Sequence, residues 1–321
     1  MTADELTAKL PHKIAERVRS VRLNEGVVTV VADASGLARD SAAALQHDIE
    51  TLVGSQPGVG QVRVALMADK VKRRIVAVGS GKGGVGKSTL SANLAVALAR
   101  AGRKVGIVDA DIYGPSQPVL LGVAEAQPTA DGQTLNPIAT AFGVRMLSMG
   151  QMIPPGKAIA WRGPMIGKAL SQLMDAAWGD AEVLLVDLPP GTGDVQLTML
   201  QKFKPDGAII VSTPQDLALI DATRALDLFR QAQVPVIGLV ENMAGYACPA
   251  CGEISNPFGE GGVEAAARAL DEPFLGRVPL ALEIRQASDA GTPPAAGDDA
   301  HGEAFRAIAG RLVEWLDRTS A

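Results

Sequence analysis

Ten consecutive residues, Ser80-Gly81-Lys82-Gly83-Gly84-Val85-Gly86-Lys87-Ser88-Thr89, carry four glycines, two lysines and two closing hydroxyls. They contain G-x-x-x-x-G-K-S, a composition suited to cradling a polyphosphate. Glycines let backbone N–H groups turn inward where side chains would block the approach. A helix that begins at such a loop adds its own unpaired N–H groups and the positive end of its dipole. Lys87 would reach the β- and γ-phosphates of a nucleotide, and the Ser88 hydroxyl would coordinate Mg2+. The second lysine, Lys82, has no such duty within its own loop, because Lys87 already meets the phosphates.

Acidic residues follow in places that complement this site. The run Val105 to Val108 leads into Asp109-Ala110-Asp111, and two carboxylates at the end of a buried strand are costly unless something positive meets them. Mg2+ and the water that attacks a phosphoryl group are the candidates; capping the next turn is the competing role for Asp111. A second run, Val183 to Val186, delivers Asp187, which would hold Mg2+ through water. Pro189-Pro190-Gly191-Thr192-Gly193 is stiff and then permissive, suited to bringing the Gly191 N–H toward a γ-phosphate. Asn242 ends the apolar run 236–240, and its amide can pair with an adenine edge.

Cys248-Pro249-Ala250-Cys251-Gly252 is a C-x-x-C followed by glycine. Both sulfurs can meet one ion, and Gly252 permits the tight turn. A redox pair would normally open a helix, and the residues after Gly252 do not read as one. The chain has only these two cysteines, so two thiolates make half a site, which a symmetric dimer would complete. Four thiolates suit either Zn2+ or a [4Fe–4S] cluster, and the chemistry of the residues leaves both open.

Strands and helices must hold these groups in place. From Arg74 onward, short apolar runs at 75–78, 105–108, 144–147, 183–186, 208–211, 236–240 and 274–278 alternate with helical segments, the first of them at Ser88 to Arg100 with Leu90, Leu94 and Leu98 on one face. Continuous Val/Ile/Leu runs fit strands covered on both faces, and the alternation predicts an α/β fold with a doubly wound, mostly parallel sheet. A final helix over about 303–318 carries Phe305, Ile308, Leu312, Trp315 and Leu316 on one stripe, for docking onto that sheet. Asp289 to Gly302, which includes His301, is the stretch closest to a flexible segment. Residues 1–68 read as a small α+β unit: helical spacing at Leu6, Leu10, Ile14 and Val18, a hairpin around Asn24-Glu25-Gly26, a second helix through Leu45 and Ile49, and a strand at Gln61 to Leu66. His12 and His47 are expected on its surface. Residues 69–74 serve as a basic linker, which leaves 75–321 as the larger domain.

Bulk composition narrows the function classes. A length of 321 residues suits two domains, or one large domain with an appendage. The net charge of −5 gives no support for nucleic-acid binding. No apolar run of about 18 residues is available to span a membrane, and the acidic start Met1-Thr2-Ala3-Asp4-Glu5 lacks the apolar core of a secretory signal. A cytoplasmic protein is expected.

The motifs resemble those of a known family. Lys82 makes the phosphate loop similar to the deviant Walker A loop of the nitrogenase-iron-protein and MinD-like ATPases. In order along the chain come Asp109 to Ser116, Trp161-Arg162-Gly163-Pro164, Asp187 to Asp194, Thr213-Pro214-Gln215, Val240 to Met243 and Cys248 to Cys251. Together they resemble the Mrp/ApbC family of iron–sulfur cluster carrier ATPases over about residues 74–294, and residues 1–68 loosely resemble the MIP18-like domain that precedes the ATPase there. The resemblance implies a P-loop ATPase using ATP and Mg2+. It implies that Lys82 reaches the partner's nucleotide across a homodimer, that Asp109 lies near the metal's hydration shell, that Asp111 activates the attacking water, and that Asn242 contacts the base. It also implies a [4Fe–4S] cluster bridged by Cys248 and Cys251 of two chains and delivered to apo-proteins. Ala281 departs from the pattern, standing where relatives usually carry Asp. The competing expectations are a MinD/ParA-like positioning switch, which has no use for the cysteines, and an ATPase dimer with a structural zinc.

Overall fold

The computed structural model of the chain describes residues 6–7, 9–24, 26–34, 37, 39–67, 73–152 and 163–319, without the side chains of 39, 40, 216–219 and 221. Met1 to Glu5, Trp161, Arg162 and most of the expected linker 69–74 lie outside these residues. The chain divides into two compact units, Met1–Lys72 and Arg73–Ala321.

In the first unit a short helix α1 (His12–Ala15) precedes β1 (Val18–Asn24), β2 (Val27–Asp33), α2 (Arg39–Gly54) and β3 (Gln61–Met67). β1 and β2 form the expected hairpin, and β3 returns parallel to β2, pairing Val27 with Gln61. Val28, Val30 and Ala32 alternate inward against Leu45, Ile49 and Val53 of α2. The helical spacing expected from Leu6 to Val18 breaks at Pro11: Leu6 and Leu10 are buried, but Val18 opens a strand. Proline cannot supply the N–H that would continue the turn. His12 and His47 are exposed.

The second unit begins β4 (Arg74–Gly79), α3 (Lys87–Arg100), β5 (Val105–Asp109), α4 (Gln117–Leu120), the small hairpin β6 (Thr129–Asp131) and β7 (Thr134–Asn136), β8 (Ile138–Ala139), β9 (Val144–Ser148), α5 (Gly163–Met174) and β10 (Val183–Asp187). It continues α6 (Asp194–Thr198), β11 (Gly207–Ser212), α7 (Asp216–Gln231), β12 (Val236–Ala247), β13 (Ile254–Ser255), α8 (Gly262–Ala269), β14 (Phe274–Leu280), α9 (Leu282–Asp289) and α10 (Ala300–Arg318). Each of the seven expected apolar runs is a strand. They pair in parallel in the order β14-β12-β11-β4-β10-β5-β9, with β13 antiparallel to the far end of β12 and β8 antiparallel to β9. The chain leaves β4 and returns at β5, with β10 inserted between them, so the crevice for a ligand opens at the carboxyl ends of these three strands.

Alternation within the runs supplies two cores. Val76, Val78, Ile107 and Leu185 face Leu90, Leu94 and Leu98 of α3, together with Phe305, Ile308, Leu312 and Leu316 of α10. Ala77, Val108, Leu184 and Val186 face Leu170 and Leu173 of α5 and Phe229 of α7. The docked C-terminal helix matches its apolar stripe. Trp315 is only half-buried, and the Arg74 guanidinium stacks 5.2 Å from its ring centroid.

Asp289 to Gly302 is not a flexible connector. Pro293, Pro294 and Ala295 are buried, the Ala295 N–H donates to Asn93 Oδ1 at 2.8 Å, and Arg100 donates to the carbonyls of Ala295 and Gly297 at 2.9 and 2.7 Å. Its prolines and glycines make a rigid bend whose carbonyls cap a side chain from the end of α3. Sequence composition alone does not distinguish that from a loose loop.

Candidate functional site

The phosphate loop joins β4 to α3, and its geometry follows from its glycines. Gly84 and Gly86 sit at φ +80° and +81°, a region that L side chains rarely adopt. Gly86 occupies the N-cap of α3 and offers no side chain to cap it. The N–H groups of Gly83, Gly84, Gly86, Lys87, Ser88 and Thr89 meet no acceptor among the described residues. Unpaired amides at a helix start form an anion site. They bound a cavity of about 270 Å3, also lined by Lys82, Asp111, Gly114 and Pro190. This cradle fits the phosphates of a nucleotide.

Below it lie the carboxylates. Parallel pairing sets Asp187 directly opposite Asp109, and both are fully buried. Lys87 Nζ donates to Asp187 Oδ1 at 2.6 Å and stands 3.4 Å from Ser88 Oγ. Ser91 Oγ donates to the same carboxylate oxygen at 2.9 Å, and Gln117 Nε2 donates to Oδ2 at 2.9 Å. The expected phosphate ligand Lys87 is thus paired with Asp187. The donor set of Ser88 hydroxyl and Asp187 carboxylate, both hard oxygens, fits Mg2+ once that ammonium turns to phosphate.

Asp109 accepts from the N–H groups of Asp111, Ser116 and Gln117 and from Ser148 Oγ. Burial, and then the charge of Asp187, push its carboxyl up to about 7, against those hydrogen bonds. Unfolded, the same group titrates near 3.8. Between these values the folded state keeps a proton that the unfolded chain has released, so this group's contribution to stability falls as pH rises from about 4 to about 7 and levels off above. Melting curves of the nucleotide-free protein and of Asp109→Asn across that window check it. The wild type should lose stability relative to the variant as pH rises; parallel profiles would reject the assignment.

Asp111 lies beside the phosphate loop. Its Oδ1 accepts from the N–H groups of Tyr113 and Gly114 at 3.1 Å each, capping the turn, while the residue lines the phosphate cavity. Lys82 is exposed on the loop. Two expected contacts are engaged otherwise. The Gly191 N–H donates to Ser80 O at 2.9 Å, and Gly191 stands at φ +86°. The Asn242 amide donates to Val85 O at 2.7 Å, so it ties β12 to the phosphate loop.

The cysteines lie on a hairpin that continues from β12, a strand longer than its apolar run because polar Glu241 and Asn242 extend the ladder. Buried Glu241 is neutralised by Arg277 at 2.9 Å and accepts from the Val263 N–H, which anchors α8 beyond the loop. Met243 and Gly245 have φ +61° and +73°, and the pairing of β12 with β14 shifts register between Asn242 and Tyr246. Cys248 N–H donates to Glu253 O, and Gly252 N–H, at φ +74°, donates to Cys248 O. Both cysteines are free thiols, Cys251 exposed and Cys248 half-buried. Hydrogen bonds from the Ala250 and Cys251 amides and the Cys251 thiol hold the Cys248 thiol below the ordinary range, which favours the thiolate that binds metal. Among the described residues no group of three His, Cys, Asp or Glu can hold an ion. His301 corrects an expectation: it lies in the first turn of α10 and lines a cavity of about 210 Å3 together with Cys248, Tyr246 and Glu283. Sequence distance hides that neighbour, and no motif names Gln117 or Ser91 as partners of Asp187.

Fold and site together define an α/β nucleotide-binding protein of the P-loop class. A profile described as ParA, NUBPL iron-transfer P-loop NTPase, matches residues 70–313, and the chain belongs to that family. An iron–sulfur cluster carrier protein of Deinococcus radiodurans is 45% identical over 284 residues, covering 84% of this chain and 80% of the relative. A protein of the same description from Methanocaldococcus jannaschii is 46% identical over 251 residues, covering 77% and 86%. A solved nucleotide-binding protein from Archaeoglobus fulgidus, in complex with ADP, is 41% identical with a TM-score of 0.60, covering 68% of this chain and 86% of its own. No helix among the described residues is long and apolar enough to cross a membrane.

Proposed function

We propose that this protein is an ATP-hydrolysing iron–sulfur cluster carrier. It holds a [4Fe–4S] cluster as cargo between Cys248 and Cys251 of two identical chains and passes it to apo iron–sulfur proteins. One observation carries the reading: the cysteine pair follows directly on β12, the strand whose Asn242 is bonded to the phosphate loop. The relatives' descriptions support the cargo, and the amide hydrogen bonds to Cys248 support a thiolate role. Two reduced thiols also suit a cytoplasmic setting.

In this reading the loop amides and Lys87 bind the phosphates of ATP, while Ser88 and Asp187 hold Mg2+, which when bound neutralises phosphate charge. Asp109 backs the cation's hydration shell. Asp111 orients a water whose oxygen bonds to the γ-phosphorus as the bond to the β,γ-bridging oxygen breaks, giving ADP and phosphate. Lys82 contributes to the nucleotide of the partner chain. Asn242 meets the base and Gly191 the γ-phosphate.

Anaerobic reconstitution tests the proposal. Wild type should take up about two irons per chain, one cubane per dimer, with charge-transfer absorbance. Cys248→Ala and Cys251→Ala should each lose it while still binding ATP. Zinc uptake without iron would overturn the carrier reading in favour of a structural dimer. Equal iron content in protein lacking both cysteines would overturn the ligand assignment.

A further inference from the structure

Gln117 belongs to no motif, yet it is wholly buried at the start of α4 beneath the phosphate cavity. Its Nε2 donates to two acceptors, Asp187 Oδ2 at 2.9 Å and Ser88 O at 3.0 Å. Two acceptors fix the amide's orientation, since a reversed amide would set oxygen against oxygen. Its own N–H donates to Asp109 Oδ2 at 3.1 Å. One residue thus joins both buried carboxylates to the residue whose hydroxyl faces the phosphates. Its Oε1 is buried with no hydrogen-bond partner among the described residues, a costly state for an acceptor and one that water around a cation would relieve.

Binding of nucleotide asks Lys87 to leave Asp187. Afterwards Oδ1 retains Ser91, whose single hydroxyl proton is shared with Lys87 O at 3.0 Å, while Oδ2 retains Gln117 alone among the donors described. A charged donor there would repel an incoming cation. A neutral amide holds the carboxylate without opposing it.

We propose that Gln117 is a positioning residue for the divalent cation of the nucleotide site: it sets the orientation of Asp187 and the spacing between Asp187 and Ser88. The proposal rests on the reading of this site as one for Mg2+ and nucleotide. Hydrogen-bond partners of metal-binding side chains are worth about 10–100-fold in metal affinity, and an effect of that size is expected here.

The test uses the full chain with a fluorescent ADP analogue, titrated first in EDTA and then with Mg2+, in wild type, Gln117→Leu and Gln117→Met. Both substitutions keep side-chain bulk and remove the amide. The Mg2+ concentration at half-effect should rise about tenfold or more in either variant, while affinity in EDTA stays within about twofold of wild type. Half-effect concentrations within about twofold of wild type in a folded variant would overturn the proposal. Equal loss of affinity with and without Mg2+ would also overturn it, assigning Gln117 to the scaffold. Failure of both variants to give a cooperative melt would overturn it on the same ground. A wild type whose nucleotide binding ignores Mg2+ would sink the site reading itself, and with it the role of Gln117.

Discussion

Lys87→Ala is expected to lower ATP hydrolysis by about a hundredfold or more and to destabilise the nucleotide-free protein by about 3–5 kcal/mol. Two separate causes meet in this residue. During turnover its ammonium stabilises charge on the phosphates. In the fold it is 6% exposed and paired at 2.6 Å with Asp187, which is 0% exposed. Removing one member of a buried pair leaves the other charge without compensation, and that penalty exceeds the net worth of the intact pair. Ser91 and Gln117 still donate to Asp187, but neither carries charge. The double variant Lys87→Ala/Asp187→Asn should therefore regain most of the stability and none of the activity. Urea melts and a phosphate-release assay read the two effects separately. A double variant no more stable than Lys87→Ala would refute the buried-pair argument, and hydrolysis within about tenfold of wild type would refute the catalytic one.

Gly86→Ala should deform the phosphate loop and lower the melting temperature sharply. A Cβ on Gly86 would lie 2.0 Å from Asn242 Nδ2 and 3.3 Å from Asn242 Cγ, so the bond from Asn242 to Val85 O cannot survive beside it. The backbone adds strain of about 1–3 kcal/mol, because φ is +81°. Gly84 isolates the steric part: its φ is nearly the same, at +80°, but a Cβ there meets nothing within 4 Å. Melting temperature should fall further in Gly86→Ala than in Gly84→Ala, and equal falls would mean that the contact with Asn242 is unimportant.

Much of this arrangement is legible in the sequence because its signals are local. Apolar runs announce the parallel strands, glycines announce the phosphate loop, and acidic residues closing those runs announce which strand ends carry chemistry. What stays hidden depends on pairing between distant segments. Gln117 reads as the residue before a proline, and only the fold brings its amide to Asp187. Pro293 and Pro294 read as loop material, whereas the structure buries them against the end of α3. β12 outlasts the apolar run that marks it, because Arg277 satisfies Glu241 and Val85 accepts from Asn242. Asn242 and Gly191 illustrate a further limit: motif spacing names a residue but not the backbone carbonyl it bonds in the fold, Val85 O for one and Ser80 O for the other.

The 12-residue strand β12 carries Asn242 within it and hands the chain directly to Cys248. A β-strand rises about 3.3 Å per residue, so the two are at most about 20 Å apart, and the irregular backbone at Met243 and Gly245 shortens that span. Any influence that travels along this strand obeys thermodynamic reciprocity. If occupying the nucleotide site loosens the grip of the cysteines by some factor, filling the cysteines must weaken nucleotide binding by that same factor. The loaded and empty carriers would then differ in nucleotide affinity, and the cell's nucleotide pool would sort one from the other without any further component.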